Sequence, residues 1–254
     1  MPFKDTPAQT LAFARVRAAS SRYAVNLRKV GRHVGELVKA FDAASEIDRA
    51  HLAQALRQYA KAIEPWAERT AAKHIQEIGR RDSRAWMAYS RKMGKLLAQQ
   101  LAEAPLGHAV QASLARQVEL ITSLPTQAAS QVHEYAVAAQ AGGIRYTDMI
   151  EKIMALGDVT QARATLIART ETSRVASEIT QSRAQSVGST QYIWRGVMDR
   201  RERETHRKMQ GRVCEWASPP EVEPGKFYHA GCIYNCRCFP EPIVPQIWEG
   251  DGNS

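Results

Sequence analysis

All four cysteines of this 254-residue chain, and two of its seven histidines, fall between positions 206 and 238. The six donors are His206, Cys214, His229, Cys232, Cys236 and Cys238. Thiolate sulfur and imidazole nitrogen are the ligands zinc prefers, and a structural zinc site takes four of them. The surrounding segment is too short and too proline-rich to build a large core, so a bound metal would explain how it keeps its shape. The tight spacing Cys232-x3-Cys236-x-Cys238 makes these three the first ligands to expect. Cys214, His206 or His229 would supply the fourth, and spacing does not choose among them. The paired C-x2-C knuckles of a zinc ribbon are absent. The same cysteines also fit reduced thiols packed in a small sheet, or a disulfide formed after release from the cell.

Other constellations are weaker. The chain has no GxxxxGK[ST] loop, no HExxH and no GxSxG. Arg169-Thr170-Glu171 reads as a charged helix face, and no partnered nucleophile or base stands near Glu171 in sequence. His33, His51, His74, His108 and His133 are scattered, which fits surface or packing roles better than ligation. Trp66 and Trp86 fit core packing. The run from Arg200 to Lys208 could contact phosphates, but its alternating signs fit a solvated face or an ion-pair network equally well.

Proline placement shows which elements must position these residues. Only Pro65, Pro105 and Pro125 occur between Ala8 and Ser218, whereas six prolines occur from Pro219 to Pro245. The first four-fifths can be helical and the last fifth cannot be mainly so. Leu52, Ala55, Leu56, Tyr59 and Ile63 form one helix face, and Ile63-Glu64-Pro65 marks a break. Separate helices are expected from Trp66 to about Ile78 and from about Ser83 to Ala104. A further helix carrying Leu114, Val118 and Ile121 should end near Leu124-Pro125, and an Ala-rich helix should run from Thr126 to Gln140. A short helix from Thr147 to Met154 should end at Gly157-Asp158, and a long one capped by Thr160 should run to about Val187, stopped by Gly188. Tyr192 to Met198 is rich in β-formers and predicts a strand, followed by a charged loop and short helix over Asp199–Met209 and a short strand near Val213.

The fold expected is a mainly α N-terminal region followed by a small α+β C-terminal module, stabilised by zinc if the cluster binds it. Residues 1–140 would form a basic helical region, 141–245 the module and 246–254 a flexible tail. Residues 1–100 hold 19 Lys+Arg against 9 Asp+Glu, while 101–254 hold 16 against 17. The excess charge of the first segment points to a polyanion or acidic partner, or to well-solvated helix faces. No run of 18 apolar residues is present, so no membrane-spanning helix and no membrane partner are expected. Met1-Pro2-Phe3-Lys4-Asp5 lacks the apolar core of a secretion signal, which leaves the cytosol of the producing cell as the expected compartment.

The order of several short pieces resembles a known family. Ile167-Ala168-Arg169-Thr170-Glu171 is followed by Trp194, then Asp199 with Arg203 and His206, then Gly211, Pro224-Gly225 and a closing Cys236-Arg237-Cys238 with Pro240. This looks like the phage Mu protein F-like family of minor head proteins, the head morphogenesis proteins of tailed phages, over residues 140 to 243. The resemblance implies a low-copy virion protein that sits with the phage portal protein at one vertex of the capsid. It would assist head assembly or DNA packaging and delivery, and would pass through the host cytoplasm during assembly. Major capsid or scaffold protein and packaged DNA are further partners that the resemblance brings in. It implies no enzyme. Some relatives carry a fused toxin domain, and with so few residues after Cys238 none is expected here. Many relatives place a His three residues before the first Cys of Cys-Arg-Cys, where this chain has Ile233. The other readings are a nucleic-acid-binding zinc protein acting alone and a metal-dependent enzyme using Glu171. A donor set with ligands to spare favours a closed structural site over the open coordination that catalysis needs.

Overall fold

The computed structural model describes residues 17–90, 99 and 103–245. They form two compact units that interleave along the chain. One comprises residues 21–73 and 114–168, and the other residues 17–20, 74–113 and 169–245 as far as these are described. The expected boundary at 140/141 falls inside the first unit. The tail expected over 246–254, and most of the helix expected from Ser83 to Ala104 beyond Ser90, lie outside the described residues.

The first unit is all helix. It contains most of α1 (Arg17–Lys39), all of α2 (Glu46–Ala62), the start of α3 (Glu64–Ser90), most of α4 (Gly107–Gln140), α5 (Tyr146–Met154) and the start of α6 (Leu156–Ser186). On α1 the stripe Tyr23, Leu27, Val30, Val34 and Val38 recurs at helical spacing and is buried throughout. It meets Leu52 and Leu56 of α2, Ile121, Leu124 and Val132 of α4, and Met149 and Ile153 of α5 in two adjoining apolar clusters. The Ser45 side chain caps α2 by accepting from the Asp48 N–H at 3.2 Å, and Glu46 and Asp48 complement the helix dipole. α1 and α6 approach at backbone distance. A Cβ on Gly157 would lie 2.7 Å from the Gly35 Cα, and one on Gly31 would lie 2.7 Å from the Gln161 N.

Two expected breaks do not occur. α4 runs unbroken through Pro125, where a helix end was expected. Proline removes one N–H and crowds the preceding turn, a cost of about 3 kcal/mol in a helix interior. Burial on both sides of it opposes that cost, because Ile121, Leu124, Ala128, Ala129 and Val132 continue one buried stripe. Hydroxyls around the proline also bond backbone carbonyls: Thr122 to Val118, Ser123 to Leu120 and Thr126 to Thr122, at 2.8 to 3.0 Å. α3 likewise continues through Gly79 where two helices were expected, with Ile75, Ile78, Ala85 and Trp86 buried along it. The break at Pro65 is present as the α2–α3 junction, Pro65 lying in the first turn of α3, where its missing N–H costs nothing. α6 begins at Leu156, four residues before the expected cap Thr160, and Gly157 in its first turn is the point of close approach to Gly35.

The second unit holds the later half of α3, the beginning of α4, the later half of α6 and every strand among the described residues. α6 stops where Gly188 takes φ +81 and the Ser189 N–H turns back to the Ala184 carbonyl. β1 (Gln191–Arg195) follows, with Tyr192, Ile193 and Trp194 buried. It pairs antiparallel with β2 (Val213–Glu215) on one side and β5 (Phe239–Ile243) on the other. Pro240 and Pro242 sit opposite Trp194 and Tyr192 on β5, an edge strand, and being two apart they share the ladder position that needs no donor. α7 (Glu204–Met209) lies between β1 and β2, and β3 (Glu221–Glu223) and β4 (Lys226–Phe227) form a small hairpin. The core gathers Trp86, Tyr192, Trp194, Met209, Cys214, Trp216, Cys236 and Cys238.

Candidate metal centre

Three of the six sequence donors converge. His206, Cys236 and Cys238 are all buried, and their donor atoms lie within 4.8 Å of one another. His206 Nδ1 stands 3.5 Å from Cys236 Sγ and 3.4 Å from Cys238 Sγ. One intervening residue lets both sulfurs of the Cys-Arg-Cys segment face the same ring. The other ring nitrogen, Nε2, lies 3.1 Å from the Tyr228 hydroxyl, which donates to Glu223 Oε1 at 3.2 Å. This chain of partners leaves Nδ1 free to act as a ligand, in the way that ligating histidines are held by a bond at the second nitrogen. Burial and the Glu223 carboxylate push the Tyr228 phenol up, so it stays a donor. Trp194 closes one side of His206, its ring edge-on at 5.8 Å.

The two thiols are electrostatically unequal. A hydrogen bond from Cys238 holds Cys236 well below the usual thiol range, against the opposing effect of burial, with His206 helping. Cys238 is pushed up by that same bond, by burial and by Glu202. Of the two, Cys236 is the one biased toward the thiolate, the form that binds metal. Two sulfurs and one imidazole nitrogen could hold a metal ion, and the donor set fits a borderline-soft one.

Glu202 completes the surroundings, and its role escaped the sequence reading because it lies in the charged run Arg200–Lys208. Its side chain is only 3% exposed, with Oε1 3.1 Å from Cys238 Sγ and 3.9 Å from His206 Nδ1. Oε2 accepts the N–H groups of Val197 and Met198 at 2.9 and 3.1 Å. The spacing of Glu202 and His206, four residues apart at the start of a helix, was the signal available.

The other three donors lie elsewhere. Cys214 faces Tyr192 across the β1–β2 ladder, and burial pushes its thiol up. His229 sits 3.2 Å from the Tyr192 hydroxyl, and its basicity is lowered by burial. Cys232 is half-buried, with its Sγ 4.0 Å from the Ala230 carbonyl.

The motif residues support the cluster from two directions. Thr170, Arg174 and Ser177 form a polar stripe on α6 that grips the loop leading into Cys236. Thr170 Oγ1 accepts the Asn235 N–H at 3.2 Å, Arg174 donates twice to the Cys232 carbonyl at 3.1 and 2.8 Å, and Ser177 donates to the Ala230 carbonyl at 2.6 Å. Glu171 is buried beside Arg174 at 3.5 Å, and Arg169 is exposed. From the other side Arg237 bonds Asp199 through both guanidinium nitrogens, which holds the Asp199 carboxyl well below the usual range. Arg203 stacks over the Tyr234 ring at 4.7 Å and donates to the Tyr234 carbonyl. Gly211, at φ +79, makes the turn from α7 into β2, and its N–H bonds the Trp194 carbonyl. A polar recess of about 150 Å³ opens beside the cluster, lined by Arg201, Glu202, Arg203, His206, Asn235, Cys236 and Arg237.

Comparison with known proteins agrees with this assembly of parts. An uncharacterised protein of Haemophilus influenzae is 33% identical over 135 residues, a stretch that is 53% of this chain and 29% of the relative. The chain thus spans less than a third of the length of that relative. No solved structure matches the chain. Residues 130–240 match the family described as Phage Mu protein F like protein, a range that contains the motif helix, the β1 tryptophan and all three converging donors, and this part of the chain is similar to that family.

Proposed function

We propose that this protein is a minor head protein of a tailed phage that acts in head morphogenesis through protein contacts at the portal vertex. The match of residues 130–240 to the phage Mu protein F-like family carries this reading. None of the helices of the described residues is long and apolar enough to cross a membrane, which agrees with a virion component that meets its partners in water. The metal that His206, Cys236 and Cys238 would hold is zinc, by the softness of the donors. Bound there, zinc would supply a cross-link between α7 and the start of β5, and so a fixed docking module. The excess of Lys+Arg in residues 1–100 supports an acidic partner, such as a portal surface or packaged DNA.

The test is co-expression with the portal protein of the same phage, followed by size exclusion at two salt concentrations. Co-elution with the portal ring at both salts is the expected result. Elution alone at both would overturn the portal assignment. Co-elution at low salt alone would reduce the contact to non-specific attraction by the basic segment.

A further inference from the structure

We propose that Glu202 Oε1 is the fourth ligand of the centre, which is then a closed site of two cysteines, one histidine and one glutamate rather than an open one. This rests on the metal-centre reading above. Three observations carry it. First, Oε1 lies beside two of the three donors, 3.1 Å from Cys238 Sγ and 3.9 Å from His206 Nδ1. Those separations are in the range of neighbouring ligands around one tetrahedral ion with bonds of about 2.0–2.3 Å. Second, the carboxylate is buried at 3% exposure, and a buried carboxylate needs a compensating charge or a full set of donors. Its Oε2 has two amides, while Oε1 faces a thiol and an imidazole nitrogen, both of them ligands in the making. The nearby guanidinium of Arg237 is hydrogen-bonded to Asp199 and meets Glu202 only through its charge. Third, the carboxylate is aimed by a strained loop. Met198 takes φ 59, a left-handed conformation costly for this residue, and its N–H is one of the two that hold Oε2. Asn235, just before Cys236, takes φ 55, a left-handed conformation that asparagine accepts readily. The cost kept at Met198 beside the donors marks a geometry that the rest of the fold enforces. A glutamate at 202 and a histidine at 206 then act as one i,i+4 pair, met by the two sulfurs of Cys-Arg-Cys.

The experiment loads the full chain with cobalt(II) in place of zinc and compares wild type with Glu202→Cys and Glu202→Gln. Cobalt uptake by wild type, with the intense visible bands of a four-coordinate site, is the first expected result. Failure of uptake would remove the metal-centre reading and this inference with it, before any variant is made. In Glu202→Cys the thiolate-to-cobalt charge-transfer band should grow about 1.5-fold as the ligand set passes from two sulfurs to three. An unchanged band in a variant that binds cobalt would overturn the Glu202 assignment while leaving the three-donor centre standing. In Glu202→Gln the visible bands should weaken as water enters the coordination sphere. Affinity alone would not decide, since losing a residue that only orients a ligand also weakens binding about 10–100-fold. Wild type gives a check that needs no folded variant. With glutamate selectively labelled, the cobalt form should show a strongly hyperfine-shifted γ-methylene resonance from one glutamate, and its absence would overturn the proposal.

Discussion

Replacing His74 by glutamine should change how stability depends on pH. His74 lies on α3, 4% exposed, with Nε2 3.1 Å from the Thr172 hydroxyl of α6. Burial lowers its pKa from 6.5 to about 4, only partly offset by Glu77. Between those values the unfolded chain binds the proton and the folded one does not. Stability contributed by the neutral ring is therefore complete above about pH 6.5 and is lost as pH falls toward 4. A shift of this size is worth about 3 kcal/mol between pH 7 and pH 4, at about 1.4 kcal/mol per unit. Wild type will not display the slope cleanly, because Asp82 in the same unit opposes it. Burial raises the Asp82 carboxyl from 3.8 to about 6 against the pull of Thr180 and Arg183, so the folded state holds the extra proton. The stability this adds is present below about pH 3.8 and lost as pH rises through 6.

The difference between wild type and His74→Gln isolates the histidine. Urea unfolding at pH 4, 5, 6 and 7 can be followed by tryptophan fluorescence, which the buried Trp86, Trp194 and Trp216 of this unit dominate. At pH 7 the variant should be less stable by about 1 kcal/mol, through the weakened bond to Thr172. Toward pH 4 it should gain about 3 kcal/mol relative to wild type, most of it below pH 6.5. A difference that stays constant across this range would refute the argument that His74 is held neutral by burial.

Two glycines give sharper tests of packing. Gly157→Ala would bring a methyl to 2.7 Å from the Gly35 Cα and 3.2 Å from its nitrogen, both backbone atoms that cannot rotate away. It should cost about 1–3 kcal/mol in chemical denaturation, while Gly107→Ala, with nothing within 4 Å, should change stability by no more than about 0.5 kcal/mol. Gly231→Ala combines φ +85 with a methyl 2.4 Å from Ser177 Oγ and 3.0 Å from the Cys238 carbonyl. It should displace the loop that enters the cluster, so isothermal titration should show weaker zinc binding together with lowered stability; unchanged binding would separate that loop from the metal site.

The helices were legible wherever an apolar stripe kept its period, as on α2 and α5. The breaks read at Pro125 and near Gly79 failed for one reason. Local chain chemistry predicts a helix end only when nothing beyond the local sequence supports the helix, and here a buried stripe continues through both positions. The strand at the tryptophan segment and the short one near Val213 were legible, whereas β3, β4 and β5 of the proline-rich end were not, because prolines exclude a helix without specifying which extended segments pair. The interleaving of the two units was not legible, because α3, α4 and α6 each pass from one unit to the other without a composition change or linker.

At the candidate centre, residue type found the region and spacing misjudged the partnership. Cys232 was favoured for its closeness in sequence to Cys236, yet the turn at Gly231 and the two bonds from Arg174 fix its carbonyl to α6 instead. Cys214 was placed by sheet register, which sets it opposite Tyr192, and no spacing rule reports register before the pairing is known. Glu202 was concealed by its neighbours, since one inward glutamate in a charged run does not alter the composition of that run. The family-like pieces explain why these scattered residues belong together. Thr170, on α6, holds the chain just before Cys236, and Asp199, after β1, holds the arginine between Cys236 and Cys238. The cysteines are thus fixed from both sides by residues far upstream in the chain. A motif helix and a closing Cys-Arg-Cys that look independent in sequence are parts of one clamp, and a substitution at Thr170 or Asp199 acts on the same donor geometry as one beside the cysteines themselves.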